Sequence, residues 1–263
     1  MTAFTDLLSA IVEDNGTYRV TMSDDWLQGR TAYGGLSAAL CLAVAERAVP
    51  GLPPLRAAQI TLIGPASGPL SLTASVLRQG KSAVYVGVDL VGEAGLATRS
   101  VFTFGVARNS AVAYENLPMP SLTPIADSPP FFPGERSPIT FQQHFESRLA
   151  GGARPMTPGQ PPEMNIWFRH RDPRAHDGVV PLIALADAPP PAIMVMFPQG
   201  APISTMTWTM DILTDMPRTD EGWWLVQSRA DNAHQGYAAH AMMIWNAKGE
   251  PVIAARQTVA IFL

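Results

Sequence analysis

Residues 33–49 read YGGLSAALCLAVAERAV, and residues 35–49 predict a helix with apolar side chains around most of its circumference. Such a helix offers little polar surface to water, so other parts of the chain must surround it. Gly51, Pro53 and Pro54 end the pattern. The strand-like runs that follow are residues 57–63, 70–77, 82–91 and 96–106. This order predicts an α+β unit in which an antiparallel sheet wraps the helix.

The second half of the chain repeats this order of elements. An apolar stretch at residues 179–187 stops at Pro189-Pro190-Pro191. The strand-like runs that follow it are residues 202–213, 223–230, 237–246 and 251–262. Glycine-containing breaks separate the runs in both halves, as hairpin connections require. We therefore expect the same helix-and-sheet unit twice.

Residues 203–212 alternate between apolar and polar side chains, which is typical of a strand with one buried face. The alternation predicts one face made of Met206, Trp208, Met210 and Ile212. It predicts that the opposite face carries Thr205, Thr207, Thr209 and Asp211.

The composition limits the class of protein. The chain has 263 residues, of which 47% are hydrophobic, and this is enough for a sizeable core. The net charge of −4 and the absence of a Lys/Arg cluster argue against a nucleic-acid partner. Cys41 is the single cysteine, so neither an internal disulfide nor a thiolate metal cluster is expected. Without a signal-peptide pattern or an unbroken run of about 18 apolar residues, we expect a cytoplasmic protein with no membrane span.

Prolines divide the chain into two parts. They are concentrated near residues 117–137 and again at 155–162, and the first group is typical of an extended connector. Possible strands at 138–149 and 163–171 flank the second group. We therefore predict an N-terminal repeat at 1–115, a proline-rich linker at 116–137 and a C-terminal repeat at 138–263.

Five short motifs, in order along the chain, resemble the acyl-CoA thioesterase II family. They are Ala32-Tyr33-Gly34-Gly35, the turn Leu77-Arg78-Gln79-Gly80-Lys81-Ser82, the stretch from Leu182 to Asp187, Ile203-Ser204-Thr205-Met206, and Ala254-Ala255-Arg256-Gln257. The resemblance implies a double hotdog fold of class α+β. In that fold two antiparallel sheets each wrap a central apolar helix, and we expect them to join into one continuous sheet. It also implies hydrolysis of acyl-CoA to a free acid and coenzyme A, with no metal and no organic cofactor.

The same resemblance implies that Asp187, Thr205 and Gln257 hold the hydrolytic water. A carboxylate among apolar neighbours, as at Asp187, has a raised pKa that suits a general base, although a helix-end residue would also fit. Thr205 is otherwise an ordinary strand residue. Gln257 shares an apolar strand face, where its amide needs partners and could simply satisfy a buried backbone group.

Gly34 and Gly35 open the first helix, where free backbone N–H groups could stabilise an oxyanion or bind substrate. A tight turn before the helix is the alternative interpretation. The first half lacks a matching Asp, Thr and Gln, so one active site per chain is expected.

Two alternatives to the hydrolase remain open: a non-catalytic acyl- or acyl-CoA-binding hotdog protein, and a hotdog enoyl-CoA hydratase. The segment Thr207-Trp208-Thr209-Met210 departs from the family pattern and bears on the substrate range. The expected partners are an acyl-CoA substrate and further copies of the chain, in a homodimer or higher homo-oligomer, because exposed edge strands favour pairing.

Overall fold

The computed structural model describes residues 1–132 and 139–263. Residues 133–138, where the predicted linker meets the C-terminal repeat, lie outside the described residues. The predicted boundary at 137 falls among these residues, and the division of the chain at 115 and 137 stays a prediction.

The described residues contain three α-helices: α1 (Phe4–Ser9), α2 (Gly34–Ala48) and α3 (Val179–Ala186). The strands of the first half are β1 (Val12–Asp14), β2 (Thr17–Thr21), β3 (Leu27–Gln28), β4 (Thr31–Ala32), β5 (Leu55–Leu62), β6 (Pro69–Gln79), β7 (Ala83–Gly92) and β8 (Gly95–Gly105). Those of the second half are β9 (Phe145–Gly152), β10 (Glu163–His170), β11 (Ile203–Ile212), β12 (Trp224–His234), β13 (Tyr237–Asn246) and β14 (Pro251–Ile261).

One antiparallel sheet joins the two halves. Within the described residues it has 12 strands in the order β1-β2-β6-β7-β8-β5-β11-β14-β13-β12-β10-β9, while β3 and β4 form a separate ribbon. The two halves meet where β5 pairs with β11. The prediction of two antiparallel sheets joined into one is confirmed.

The strand order is symmetric about this central pair. In each half the first strand after the helix lies at the centre. The fourth, third and second strands after the helix follow outward, and then the two strands of this sheet that precede the helix in the chain. The chain therefore contains two copies of one topology, as the repeated sequence pattern predicts.

The core lies between the inner face of the sheet and the two helices. Residues Gly35 to Ala45 of α2 are buried, which confirms that this helix is wrapped. The α2 helix packs on β6, β7 and β8 and contacts α3, which packs on β10. Each fully buried leucine of α2 contributes about 1.5–3 kcal/mol by leaving water. This packing fixes the position of the first turn of α2 relative to the end of α3.

Candidate active site

A carboxylate lies where the two central helices meet. Asp187 directly follows α3, and the prolines at 189–191 prevent the helix from continuing. Its Oδ2 accepts a hydrogen bond of 2.7 Å from the backbone N–H of Gly35, in the first turn of α2. Its Oδ1 accepts a hydrogen bond of 2.5 Å from Nε2 of Gln257, on β14. The structure thus brings Asp187, Gln257 and the start of α2 together.

Glycine at positions 34 and 35 permits this close approach. A Cβ on Gly35 would lie 2.7 Å from the carbonyl oxygen of Ala184 and 2.8 Å from Cβ of Asp187. A Cβ on Gly34 would lie 2.8 Å from Oδ2 of Asp187. A larger residue at either position would push the carboxylate away from the helix start.

The two glycines differ in the use of their backbone N–H groups. The N–H of Gly35, expected as an oxyanion donor, is engaged by the carboxylate of Asp187. The N–H of Gly34 makes no hydrogen bond within the described residues, and Gly34 lines the cavity described below. The start of α2 therefore holds the carboxylate with one N–H and leaves its neighbour available to a ligand.

Tyr33 ties the same two helix ends together. Its hydroxyl donates a hydrogen bond of 3.0 Å to the carbonyl oxygen of Ala184, in α3. Its ring stacks on Phe141 with a centroid separation of 4.0 Å. Burial, and then the charge of Asp187, raises the pKa of Tyr33 well above its usual value, so the hydroxyl stays protonated and remains a donor.

The surroundings of Asp187 change its acidity. Burial in the core raises the pKa from 3.8 to about 6, while the hydrogen bonds from Gln257 and Gly35 act in the opposite direction. The side chain is partly accessible because it borders a cavity, yet protein surrounds it closely enough to remove most of its hydration. A carboxylate of this acidity is ionised at neutral pH and can accept a proton there.

Thr205 reaches the inner side of the sheet through a β-bulge. Thr205 pairs with Val259, and Trp208 pairs with Gln257. Met206 is therefore an extra residue on β11 between these two pairs. Directly paired residues share a face, which places Thr205 on the same inner face as Trp208. The prediction that Thr205 shares a face with Thr207 is therefore wrong, because the bulge reverses the alternation at Met206. The hydroxyl of Thr205 makes no hydrogen bond to Asp187 or Gln257 within the described residues.

A cavity of about 890 Å³ lies in front of Asp187. Gly34 and Thr205 also line it, whereas Gln257 is 4% exposed and reaches Asp187 from behind, on the side of the sheet. Aromatic rings and prolines form much of the wall, among them Tyr33, Phe131, Phe132 and Phe141. Arg154 and Asp187 are the charged residues among the described lining. This wall suits a largely apolar ligand.

A second, smaller depression adjoins this cavity. It has a volume of about 440 Å³ and shares Leu62, Ile63, Ser204 and Thr205 with the larger one. Its outer part is formed by the turn between β12 and β13 and by the end of β14, including Tyr237, which is 53% exposed. We call it the Tyr237 groove. Thr205 thus lies where the larger cavity meets the surface groove.

Two buried polar residues near the site give no signal in the sequence. Gln142, in a 3-10 turn at Thr140–His144, donates from Nε2 to the carbonyl oxygen of Ala188, next to Asp187. His240, on β13, is directly paired with Gln257. Both residues bond to backbone groups far away in the chain, and no spacing or local pattern predicts such partners.

Within the described residues, no three His, Cys, Asp or Glu side chains converge as ligands for a metal ion. No helix in that part of the chain has the length and apolar character needed to cross a membrane.

The fold is shared with several solved structures. A hot dog fold protein of unknown function from Alicyclobacillus acidocaldarius matches with a TM-score of 0.87 and 23% identity, over 100% of this chain and 99% of that one. A putative thioesterase II from Thermobifida fusca YX matches with a TM-score of 0.81 and 17% identity, over 100% and 98% of the two chains. The acyl-CoA thioesterase II TesB2 from Mycobacterium marinum gives 0.77 and 19%, over 98% and 97%. At these identities the likeness establishes the double hotdog fold.

Family models assign the sequence itself. A model of the acyl-CoA thioesterase N-terminal domain matches residues 22–105, and a model of the acyl-CoA thioesterase C-terminal domain matches residues 120–261. A search of curated proteins gives no match. On the two domain matches, which together span most of its length, the chain belongs to the acyl-CoA thioesterase family.

Proposed function

We propose that this protein hydrolyses acyl-CoA thioesters to a free carboxylic acid and coenzyme A. The observation that carries the proposal is the Asp187 carboxylate, which borders an apolar cavity beside the free N–H of Gly34. Its pKa of about 6 makes it a proton acceptor at neutral pH. Family membership supports the same reaction class.

In the proposed reaction Asp187 removes a proton from a water molecule while the water oxygen attacks the thioester carbonyl carbon. The carbonyl oxygen gains the negative charge, and the N–H of Gly34 stabilises it. When the C–S bond breaks, the protonated Asp187 returns its proton to the thiolate of coenzyme A. Placed proton transfer contributes about 10²- to 10⁴-fold, and one oxyanion donor about 10²- to 10³-fold.

Thr205 and Gln257 have different parts in this proposal. The hydroxyl of Thr205, on the cavity wall, holds the attacking water together with Asp187. Gln257 fixes the carboxylate through Oδ1 and so fixes the direction from which the water is held. Gly35 fixes the other carboxylate oxygen, which makes it an anchor for the base and leaves the oxyanion to Gly34.

The two depressions suit the two arms of the substrate. The cavity of about 890 Å³, with its aromatic wall, accommodates the acyl chain. The Tyr237 groove is open to solvent and accommodates part of the coenzyme A arm. The thioester then lies near Thr205, which borders both. In terms of the proposed domains, the repeat at 1–115 contributes the N–H groups of α2 and the repeat at 138–263 contributes the base.

Thiol release from acyl-CoA substrates of short, medium and long chain tests the proposal. We expect turnover by the wild-type protein and a loss of about 10²-fold or more in kcat for Asp187→Asn. Asp211→Asn is the matched control, because Asp211 is exposed on β11. Absence of turnover with every chain length, or an Asp187→Asn variant as fast as wild type, would refute hydrolysis.

A non-catalytic acyl-CoA-binding protein is the second candidate. The observation in its favour is that Thr205 and Asp187 share no hydrogen bond and that Gly35 is already engaged. Binding of an acyl-CoA with no thiol release by the wild-type protein would select this alternative. A hydratase would require a histidine in the cleft, and the described residues that line the cavity include none.

A further inference from the structure

Three side chains form a row across the sheet behind Asp187. Gln257 on β14 pairs directly with Trp208 on β11 and with His240 on β13. Directly paired residues point to the same face, with Cβ atoms about 4.5–5.5 Å apart. The three side chains are 4%, 0% and 0% exposed. Gln257 therefore lies in the buried interior, between the indole of Trp208 and the imidazole of His240.

The contact with Asp187 fixes how the amide of Gln257 is turned. Nε2 donates to Oδ1 of Asp187, so the carbonyl oxygen Oε1 is on the other branch of the amide. Oε1 is an acceptor and needs a donor if the amide is to keep this orientation. Rotation of the amide by half a turn would place Oε1 of Gln257 against Oδ1 of Asp187 and break the hydrogen bond between the two side chains.

His240 has a donor of the required kind. Its Nε2 accepts a hydrogen bond of 3.2 Å from the backbone N–H of Ile193, so in the neutral ring the proton is on Nδ1. Burial lowers the pKa of His240 to about 4, which keeps the ring neutral at physiological pH. Nδ1 is buried and has no hydrogen-bond partner within the described residues.

Trp208 presents a similar group on the other side of Gln257. Its Nε1–H is also buried and without a partner within the described residues. Unpaired buried donors are costly and rare in native proteins. The strand register places Gln257, whose Oε1 is an acceptor, beside both residues.

We propose that His240 is a positioning residue, whose Nδ1–H holds the carbonyl oxygen of Gln257 through one bridging water and so keeps Nε2 of Gln257 directed at Asp187. The inference deepens the proposed function, on which its kinetic test rests. His240 itself touches neither the substrate nor the reacting atoms.

Two substitutions separate this role from a structural one. An Asn side chain at position 240 can place its N–H near the former position of Nδ1, but it is too short to accept the hydrogen bond from Ile193. A Gln side chain can place its oxygen near the former position of Nε2 and accept that bond, but it has no donor near the former position of Nδ1. We expect His240→Asn to keep kcat within about threefold of wild type. We expect His240→Gln to lower kcat on the order of tenfold with KM unchanged. The reverse order would show that His240 only anchors Ile193 and would overturn the proposal.

A double-mutant cycle tests the route through Gln257. In a Gln257→Ala background, His240→Gln should cause no further loss of kcat, because the group that it positions is gone. His170→Gln is the matched control, since His170, on β10, is a similarly buried histidine whose Nε2 bonds to the backbone carbonyl of Pro181 in α3. Its effect should multiply with that of Gln257→Ala. If the loss of kcat caused by His240→Gln also multiplied with the loss caused by Gln257→Ala, the proposal would be refuted.

A readout without turnover separates this inference from the proposed function. Carboxyl ¹³C NMR follows the pKa of Asp187, which the hydrogen bond from Gln257 lowers. Gln257→Ala and His240→Gln should both raise that pKa, and His240→Asn should leave it unchanged. This pattern in a protein that hydrolyses no thioester would refute only the proposed function. An unchanged pKa in His240→Gln would refute the positioning role, whatever the activity.

Discussion

The backbone N–H of Gly35 donates a 2.7 Å hydrogen bond to Oδ2 of Asp187, which lies 152 residues later in the chain. The bond joins the first turn of α2 to the end of α3. It places the negative charge of Asp187 at the positive end of the α2 dipole. Its short length also shows how closely the two helices approach.

Gly35→Ala should destabilise the protein and lower its activity. The added methyl group would lie 2.7 Å from a backbone oxygen that cannot move freely, and 2.8 Å from Asp187. Overpacking of this kind costs about 1–3 kcal/mol of unfolding free energy, measurable by urea denaturation. Gly200→Ala is the control, because nothing lies within 4 Å of its added Cβ. Equal stabilities of the two variants would contradict the close approach.

Activity and stability should respond to pH in opposite directions through Asp187. With a pKa of about 6, kcat/KM should fall as the pH drops below about 6 and the base is protonated. Since the pKa in the folded state lies above the ordinary 3.8, the folded protein binds this proton more tightly than the unfolded chain does. The contribution of Asp187 to stability therefore decreases as the pH rises from about 4 to about 6.

Asp187→Asn isolates this effect from that of other titrating groups. The unfolding free energy of the variant minus that of wild type should increase between pH 4 and pH 6.5. A constant difference across this range would mean that Asp187 titrates normally.

Thr205→Val should lower kcat by about tenfold or more, because it removes the hydroxyl at nearly constant shape from the wall beside Asp187. Thr207→Val is the control on the same strand, and Thr207 lies on the outer face beyond the bulge. Steady-state kinetics with one acyl-CoA would suffice. Similar losses in both variants would argue against a specific role of the inner face.

Tyr237→Ala should raise KM for acyl-CoA several-fold and leave KM for an acyl N-acetylcysteamine thioester unchanged, since the short thiol lacks the part of coenzyme A that would lie against Tyr237. Tyr114→Ala, which removes a tyrosine that is 85% exposed outside the groove, is the control. A parallel rise for both substrates would place the effect in the acyl cavity and contradict the assignment of the groove.

The sequence predicts the helices and most strands because their periodicity is strong and glycine marks the breaks between them. The predicted helix at 35–49 and the observed α2 at Gly34–Ala48 differ by one residue at each end. Residues 138–149 are less regular, and there the described part of the segment begins with a 3-10 turn at Thr140–His144 before β9 starts at Phe145.

The site is harder to predict, for reasons that particular residues make clear. The alternation predicts the wrong face for Thr205, because Met206 continues the apolar pattern and the one-residue bulge leaves no trace in it. Gln142 and His240 bond to the backbone of Ala188 and Ile193, and such tertiary partners are set by the fold. The proximity of Asp187 and Gln257 was expected from a family resemblance, since their spacing alone does not indicate it.

The pairing of β5 with β11 has a consequence for dilute solutions. The start of α2 and Asp187 belong to one covalent chain, so each is present near the other at a high effective concentration, whatever the total amount of protein. A site shared between two separate subunits would come apart on dilution as the subunits dissociate. Here the carboxylate keeps its N–H partner in a single molecule, so the specific activity that we propose should not decline as the protein is diluted.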